Sequence, residues 1–444
     1  MINIKYLIVN GKLQMNLSEI ARVAKSASVN LSAVKTNVKN NALVEIAKAL
    51  KQHSDEIVSA NKEDLITAEK DNLAGPLLKR LKFDEGKIAD VCAGIESLIK
   101  LDDPVGKTIT ATELDKGLEL YKVSCPIGVI GVVFESRPDA LVQISTLCLK
   151  SGNAVLLKGG SEAAKTNRIL ADIISEASEN AGLPKGWTQL LQTRQDVARM
   201  LTLDEYIDLI IPRGSNDFVR YIMDNTNIPV LGHADGICHV YIDGDADPDM
   251  ALNITVDSKC QYVAVCCAAE TLLVDKKIAG QLLPKLKTAL EEKGVELRGC
   301  ELTKSIIDVK PATEEDWSTE YLDYILSIKI VDGLDAAIEH INQYGSGHTD
   351  AIVTNDKEKA DRFMALVDSA NVFWNCSTRF SDGFRYGLGA EVGISTNKIH
   401  ARGPVGLEGL VIYKWKLLGN GQVVADYFGK DAKKFTHKKI VNGE

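Results

Sequence analysis

Two adjacent thiols, Cys266 and Cys267, stand in the stretch 261–269, just ahead of the apolar segment 271–274. A cysteine at a loop-to-strand junction can turn its sulfur toward a cleft, and a thiolate there is an effective nucleophile toward acyl carbons. The pair equally fits two small side chains packed in a core, the commonest use of free cysteine. Glycine turns offer a second chemistry. Lys158-Gly159-Gly160-Ser161 follows an apolar run and opens a helical stretch, and Gly214-Ser215 repeats the arrangement after the next run. Bare N–H groups and a helix dipole at such turns attract phosphate, with Lys158 as a neighbouring charge. Either turn alone is also an ordinary connection; two in succession favour a dinucleotide. Glu135-Ser136-Arg137-Pro138-Asp139 follows another apolar run, where open α/β sheets place ligands. Arg137 offers an anion a planar fork of donors, unless the segment is simply a helix start with Asp139 in its first turn.

Other signatures are absent. Gly128-Val129-Ile130-Gly131 is not GxGxxG, and Gly106-Lys107-Thr108 is no P-loop because Leu101 stands where its first glycine belongs. There is no HExxH, no CxxC and no spaced set of metal ligands. His348 and His400 lie in polar stretches and read as solvated or structural. No metal is expected.

The elements that must position these groups follow from periodicity. Residues 16 to about 100 read as mostly helical, with Asn16-x-x-Glu19 as a helix start and Leu43, Ile46, Ala47 and Leu50 on one face. Residues 103–122 alternate through Thr108, Thr110 and Thr112 to Leu118, Leu120 and Tyr121, which predicts a two-stranded ribbon. Runs at 126–134, 153–158 and 206–211 suit strands buried on both faces of a parallel sheet, each followed by a turn and a helix. A second alternating set starts near Gly236, with strands at 237–242, 271–274, 328–331, 351–353 and 371–374. Residues 410–424 again look strand-like, broken by Gly419 and Gly421. The fold class expected is α/β, two doubly wound domains plus a ribbon built from two distant pieces.

Composition bounds the function. The chain has 444 residues, about three domains' worth as a soft prior. It carries 52 Lys and Arg against 61 Asp and Glu, a formal net charge of −9. That acidic balance argues against a nucleic-acid partner. With 45% apolar and 25% charged residues the chain is ordinary for a globular protein. No run approaches the roughly 18 apolar residues of a membrane span, and the patch 6–9 is too short for a secretory signal. Nine cysteines, an odd number without framework spacing, imply a reduced, cytoplasmic protein.

Taken together, residues 41 to about 420 resemble the γ-glutamyl phosphate reductase family of the aldehyde dehydrogenase superfamily. The resemblance is carried by Pro126-Ile-Gly-Val-Ile-Gly-Val-Val-Phe-Glu-Ser-Arg-Pro-Asp-Ala140, by Ile228-Pro-Val-Leu-Gly-His-Ala-Asp-Gly-Ile-Cys-His239 and by His340-Ile-Asn-Gln-Tyr-Gly-Ser-Gly-His-Thr-Asp350. It implies an aldehyde-dehydrogenase-like fold. Residues 1–104 and 125–235 would form the NADPH-binding domain and 236–405 the catalytic domain. Residues 105–124 and 406–428 would form an oligomerisation arm, with a tail at 429–444. The activity implied is NADPH-dependent reduction of L-glutamyl 5-phosphate to L-glutamate 5-semialdehyde and phosphate through a cysteine thioester, the second step of proline biosynthesis.

The same resemblance implies roles for residues. The family's nucleophile lies four residues before the Glu of Glu270-Thr-Leu-Leu-Val274, which is Cys266; the next residue, often Asn or Gly in the family, is Cys267 here. Lys158, with Gly159 and Ser161, resembles the contacts near the adenosine ribose. Gly214 and Ser215 resemble the helix start beside the pyrophosphate and nicotinamide, and Glu320 the holder of the nicotinamide ribose. Asn375 falls in the wall near the nucleophile. Arg137 and Arg379 would hold the phosphate or the α-carboxylate. Arg137 stands where oxidative relatives carry their oxyanion asparagine, so that role passes to backbone N–H groups near Cys266. Their general-base glutamate falls near Gly232, where no carboxylate stands, consistent with hydride capture in place of hydrolysis. A homo-oligomer is implied, with transient handover of the acyl phosphate from glutamate 5-kinase, whose own domain 444 residues cannot also accommodate. Competing readings are another aldehyde dehydrogenase or CoA-acylating reductase, and a non-enzymatic NADPH-binding thiol redox sensor.

Overall fold

In a computed structural model the structure describes residues 6–9, 12–233 and 235–440. The expected nucleotide domain and C-terminal tail therefore include stretches (1–5, 10–11, 234 and 441–444) outside the described residues. The chain divides into two compact units. The first comprises Met1–Gly214, Tyr221–Val230 and Gly406–Glu444, and the second Ser215–Arg220 and Leu231–Val405.

In the first unit, helices Leu17–Leu31, Thr36–Gln52, Ser54–Lys70, Gly75–Leu81 and Glu85–Lys100 precede the sheet. Asn16 starts the first by accepting the Glu19 N–H at 2.8 Å, the local bond an N-cap supplies. Four parallel strands follow in the spatial order Thr188–Leu190, Ala154–Gly159, Val129–Phe134, Leu209–Arg213. Val129–Phe134 and Ala154–Gly159 are buried at every position, which is why they read as unbroken apolar runs. The chain fills one side of Val129–Phe134 and then crosses to the other. The point where strand order reverses thus lies between Val129–Phe134 and Leu209–Arg213.

Several expected boundaries shift. The strand expected at 126–134 begins at Val129, because Pro126 ends the ribbon strand Leu118–Pro126. Between them Gly128 adopts φ 136°, and a Cβ there would meet the Asp208 carboxylate at 2.1 Å. That carboxylate takes the Val129 N–H at 2.8 Å and the Lys25 ammonium at 2.7 Å. The strand expected at 206–211 is Leu209–Arg213, since the Tyr206 and Ile207 N–H groups close a turn on the Leu203 carbonyl. The ribbon Thr108–Asp115 and Leu118–Pro126 is extended to four strands by Val411–Leu418 and Lys438–Lys439. Val411–Leu418 stops before Gly419, short of the expected 424. By its contacts this ribbon groups with the first unit.

The second unit holds seven parallel strands in the order Lys310–Pro311, Glu296–Gly299, Ile325–Val331, Ala269–Asp275, Cys238–Ile242, Thr349–Val353, Asn371–Trp374. Alternate residues face opposite sides. Val240, Leu272 and Val274 pack with Leu282, Leu286 and Ile254 from helices Lys276–Glu291 and Pro248–Cys260. Tyr241, Leu273 and Ile352 pack with Ile338, Ile341 and Phe363 from Gly333–Tyr344 and Lys357–Leu366. Glu296–Gly299 and Lys310–Pro311, the last two strands at one side of the sheet, have no counterpart in the sequence reading, because they are short and polar at half their positions. No described helix is long and apolar enough to cross a membrane.

Candidate active site

In the second unit, the candidate nucleophile lies in the loop between helix Pro248–Cys260 and strand Ala269–Asp275. Cys266 is half-buried while Cys267 is buried. The difference has a structural cause. Cys267 points into the unit, its sulfur contacting the Arg379 guanidinium and its carbonyl taking the Thr378 hydroxyl at 2.8 Å. Burial pushes the Cys267 thiol up, against the pull of Arg379, which disfavours its thiolate. Arg379 is itself buried and donates to Gln261 at 3.0 Å. Two of its donors fasten the nucleophile loop. Against the other side of that loop lies Gly236. A Cβ there would come within 2.3 Å of the Cys266 carbonyl oxygen and 2.5 Å of its Cα. The Cys238 thiol closes the contact by donating to the same carbonyl at 3.1 Å.

The loop gathers imidazoles that the sequence left scattered. Donor atoms of His233, Cys266 and His348 all lie within 4.8 Å of one another, with His233 and Cys266 half-buried and His348 buried. The two rings meet edge to face, centroids 5.0 Å apart. His348, expected as solvated or structural, is fully buried, whereas His400 is exposed. Burial lowers the His348 pKa well below the ordinary range, with His233 adding to the effect. All three residues precede strands: Cys266 precedes Ala269–Asp275, His233 precedes Cys238–Ile242, and His348 immediately precedes Thr349–Val353. The cluster therefore sits at the amino ends of the parallel sheet.

Glu320 is held nearby in the chain's order of contacts. Its carboxylate accepts the Asn216 amide at 2.5 Å, and the same amide reaches Asp235 at 3.3 Å. Burial raises the Glu320 pKa, against Asn216 and the Gly236 N–H, which favour the charge. The residue after Ser215 thus meets Glu320, so those two expected cofactor segments converge. A second carboxylate supports them. Glu270 pairs with Lys259 at 2.5 Å, both side chains fully buried, and accepts the Leu322 N–H at 3.2 Å. That bond ties the strand after Cys266 to the Glu320 loop, where Leu322 takes φ 53°. Burial pushes the Glu270 carboxyl up to about 7, against Lys259.

The carboxyl ends of the same sheet are closed by its own side chains. Asn375, at φ 53°, accepts the Thr354 N–H and donates to the Thr354 carbonyl, each at 2.9 Å. Its amide thus bridges both backbone groups of Thr354. Beside it Lys359 reaches Asp243 at 2.5 Å and Asp245 at 3.2 Å, and the Thr354 hydroxyl donates to Asp245 at 2.7 Å.

In the first unit, the glycine turns lie at carboxyl ends. Lys158 is buried, and its ammonium contacts the Gly159 carbonyl. Gly159 has no room for a side chain: a Cβ would meet Asn167 at 2.2 Å and Phe134 at 3.0 Å. Ser161 opens a single 3₁₀ turn, Ser161–Ala163, and the α-helix starts only at Ala164. That helix start is already satisfied. The Asp64 carboxylate takes the Thr166 N–H at 2.8 Å, the Thr166 hydroxyl at 2.7 Å and the Lys165 N–H at 3.3 Å. A buried side-chain anion thus sits at this helix start. Glu162, missed in the sequence, folds over Gly160 and accepts the Ser136 N–H at 2.6 Å and its hydroxyl at 2.7 Å. Arg137 is half-buried at the start of helix Pro138–Lys150, and Gly214 follows Leu209–Arg213. Both flank the strand-order reversal, where ligands of open α/β sheets bind.

The aldehyde dehydrogenase family model matches residues 9–299. A γ-glutamyl phosphate reductase of Acetivibrio thermocellus is 69% identical over 96% of this chain and 99% of its own length. One from Pelotomaculum thermopropionicum is 67% identical over 96% and 98%. The crystal structure of a γ-glutamyl phosphate reductase from Thermotoga maritima superposes with a TM-score of 0.90 at 41% identity, covering 92% of this chain and 99% of that one. An acetylating aldehyde dehydrogenase from Geobacillus thermoglucosidasius shares the fold alone, with a TM-score of 0.61 at 17% identity.

Proposed function

The chain belongs to the γ-glutamyl phosphate reductases of the aldehyde dehydrogenase family, and on that premise we propose that it reduces L-glutamyl 5-phosphate to L-glutamate 5-semialdehyde with NADPH, through a thioester on Cys266. The observation that carries the thiol assignment is the contrast between neighbours: Cys266 is half-buried beside two imidazoles, and Cys267 is sealed against Arg379.

The residues supply each step the chain must perform. His233, which donates its Nδ1–H to the Ile394 carbonyl at 3.0 Å, lies beside Cys266 and would serve as the base for its proton. The thiolate attacks the acyl carbon, the C–O bond to phosphate breaks, and phosphate departs with both electrons of that bond. Arg137 holds an anionic group of the substrate through charge-assisted donors. Gly236 keeps the loop backbone in one position, so that N–H groups beside Cys266 can face the developing oxyanion. Gly232 brings no carboxylate to activate water, which protects the thioester. A nicotinamide dinucleotide, when bound, supplies the hydride. The residues fit such a group. Glu320, fixed by Asn216, would accept from the ribose hydroxyls of such a group.

Self-association is part of this reading. Val411–Leu418 pairs on one side only among the described residues, and Tyr413, Trp415 and Leu417 are exposed along it, an edge that invites a second copy. The test of the function is the reverse reaction, with glutamate 5-semialdehyde, phosphate and NADP⁺. Cys266→Ala should lose at least about 10³-fold in rate, as removal of a covalent nucleophile does, while Cys267→Ala stays within about tenfold. Full turnover by Cys266→Ala, or CoA or water replacing phosphate as acceptor, would overturn the proposal.

A further inference from the structure

Outside the steps just described, one polar atom of the nucleophile cluster is unaccounted for. Nε2 of His348 is buried and has no hydrogen-bond partner, a condition that is costly in a protein interior. The ring's other nitrogen, Nδ1, is engaged at 2.8 Å by the Thr349 hydroxyl. In His233 the contact of Nδ1 with the Ile394 carbonyl fixes the tautomer, so that its Nε2 carries a lone pair. In each imidazole Nδ1 is thus engaged by an oxygen, as in metal-ligating histidines, and the two rings meet edge to face. The third member is the Cys266 sulfur, and all three donor atoms lie within 4.8 Å of one another.

Two imidazoles and a thiol form a donor set for a borderline-soft cation, and the absence of a carboxylate from it disfavours Mg²⁺ and Ca²⁺. A tetrahedral zinc site places sulfur and nitrogen about 3.5 Å apart. Side-chain rotations of about 1 Å would bring the present arrangement to that spacing, with a fourth position left for water. We propose that Cys266, His233 and His348 form a reversible Zn²⁺ site. Binding exchanges the Cys266 thiol proton, released to solvent, for a zinc–sulfur bond. It thereby removes the thiolate from both acyl transfer and alkylation. The site itself rests on the three donors; only its inhibitory consequence rests on Cys266 being the nucleophile.

Co²⁺, which reports thiolate ligation by its charge-transfer band, tests the site directly on the reduced full-length protein. One equivalent should give intense tetrahedral d–d bands and a near-ultraviolet thiolate band, both displaced by Zn²⁺. Cys266→Ser should abolish the thiolate band, and Cys267→Ser should keep it. His348→Gln and the less buried His233→Gln should each weaken binding by more than about 100-fold, beyond what an outer contact is worth. In parallel, Zn²⁺ should slow iodoacetamide labelling of Cys266, mapped by mass spectrometry. No thiolate band with wild type, or a band that survives either Cys266→Ser or both histidine variants, overturns the site. If Cys266→Ala abolishes turnover while no band forms, the metal proposal alone fails. If the band forms while Cys266→Ala keeps turnover, the nucleophile assignment alone fails.

Discussion

The glycine turn after Ala154–Gly159 and the loop before Ala269–Asp275 sit at opposite ends of their parallel sheets. The turn lies at carboxyl ends, where open α/β sheets ordinarily bind ligands, and it carries the more suggestive sequence. Yet its charged groups are largely matched: Asp64 caps the helix, Glu162 takes the Ser136 donors, and Lys158 is turned in on Gly159, although the Asn167 side-chain oxygen beside Gly159 is buried without a partner. The loop lies at amino ends, has no recognisable motif of its own, and gathers a half-buried thiol, two imidazoles and an orphaned ring nitrogen. Full compensation marks a group that builds the fold. At the loop the unpartnered ring nitrogen of His348 belongs to a group with a thiol and a second imidazole, a set suited to a ligand.

Perturbing the loop's supports should therefore damage chemistry or stability far more than perturbing closed networks elsewhere. The largest effect is expected from Lys259→Met, which leaves Glu270 buried without its cation. A loss of about 3–5 kcal/mol, read as a lowered denaturation midpoint at pH 8, would support the Lys259–Glu270–Leu322 tie as the anchor of the Glu320 loop. Glu270 also sets a pH dependence. Its folded pKa of about 7 lies above the ordinary 4.5, so its contribution is fully present below that lower value and lost as pH rises through 7. Thermal midpoints of the wild type should fall between pH 5 and 8, and Glu270→Gln should flatten that fall; parallel profiles would refute the shift.

Next comes Gly236→Ala. Its Cβ has no room beside Cys266, and displacement of the loop by about 1 Å should lower kcat by about 100-fold with the first unit's spectroscopic signals unchanged. Arg137→Ala should raise KM for phosphate in the reverse assay by about 10- to 100-fold, the worth of a charged hydrogen-bond donor. An unchanged KM would return Arg137 to a helix-start residue. The smallest catalytic effect is expected from Asn375→Ala. It removes two bonds to Thr354 at a left-handed position and should cost about 1–3 kcal/mol of stability while leaving KM unaltered. A large rise in KM would put Asn375 back in the substrate wall.

What the residues alone determined is local or periodic. Buried parallel strands announce themselves as continuous apolar runs, Asn16 announces its cap, and Cys266 is singled out only through the family resemblance. Strand ends were less readable: Pro126 belongs to the ribbon and Tyr206 to a turn, since a boundary depends on which neighbour takes each N–H. Only the tertiary structure decided which of two adjacent thiols is accessible, because the Arg379 that seals Cys267 lies 112 residues away. The same holds for Asp64 at a helix start 102 residues on, for the amides that Asn375 matches, and for the meeting of His233 and His348 with a sulfur. Such assignments depend on which distant groups compensate one another in low dielectric, and no spacing along the chain encodes that.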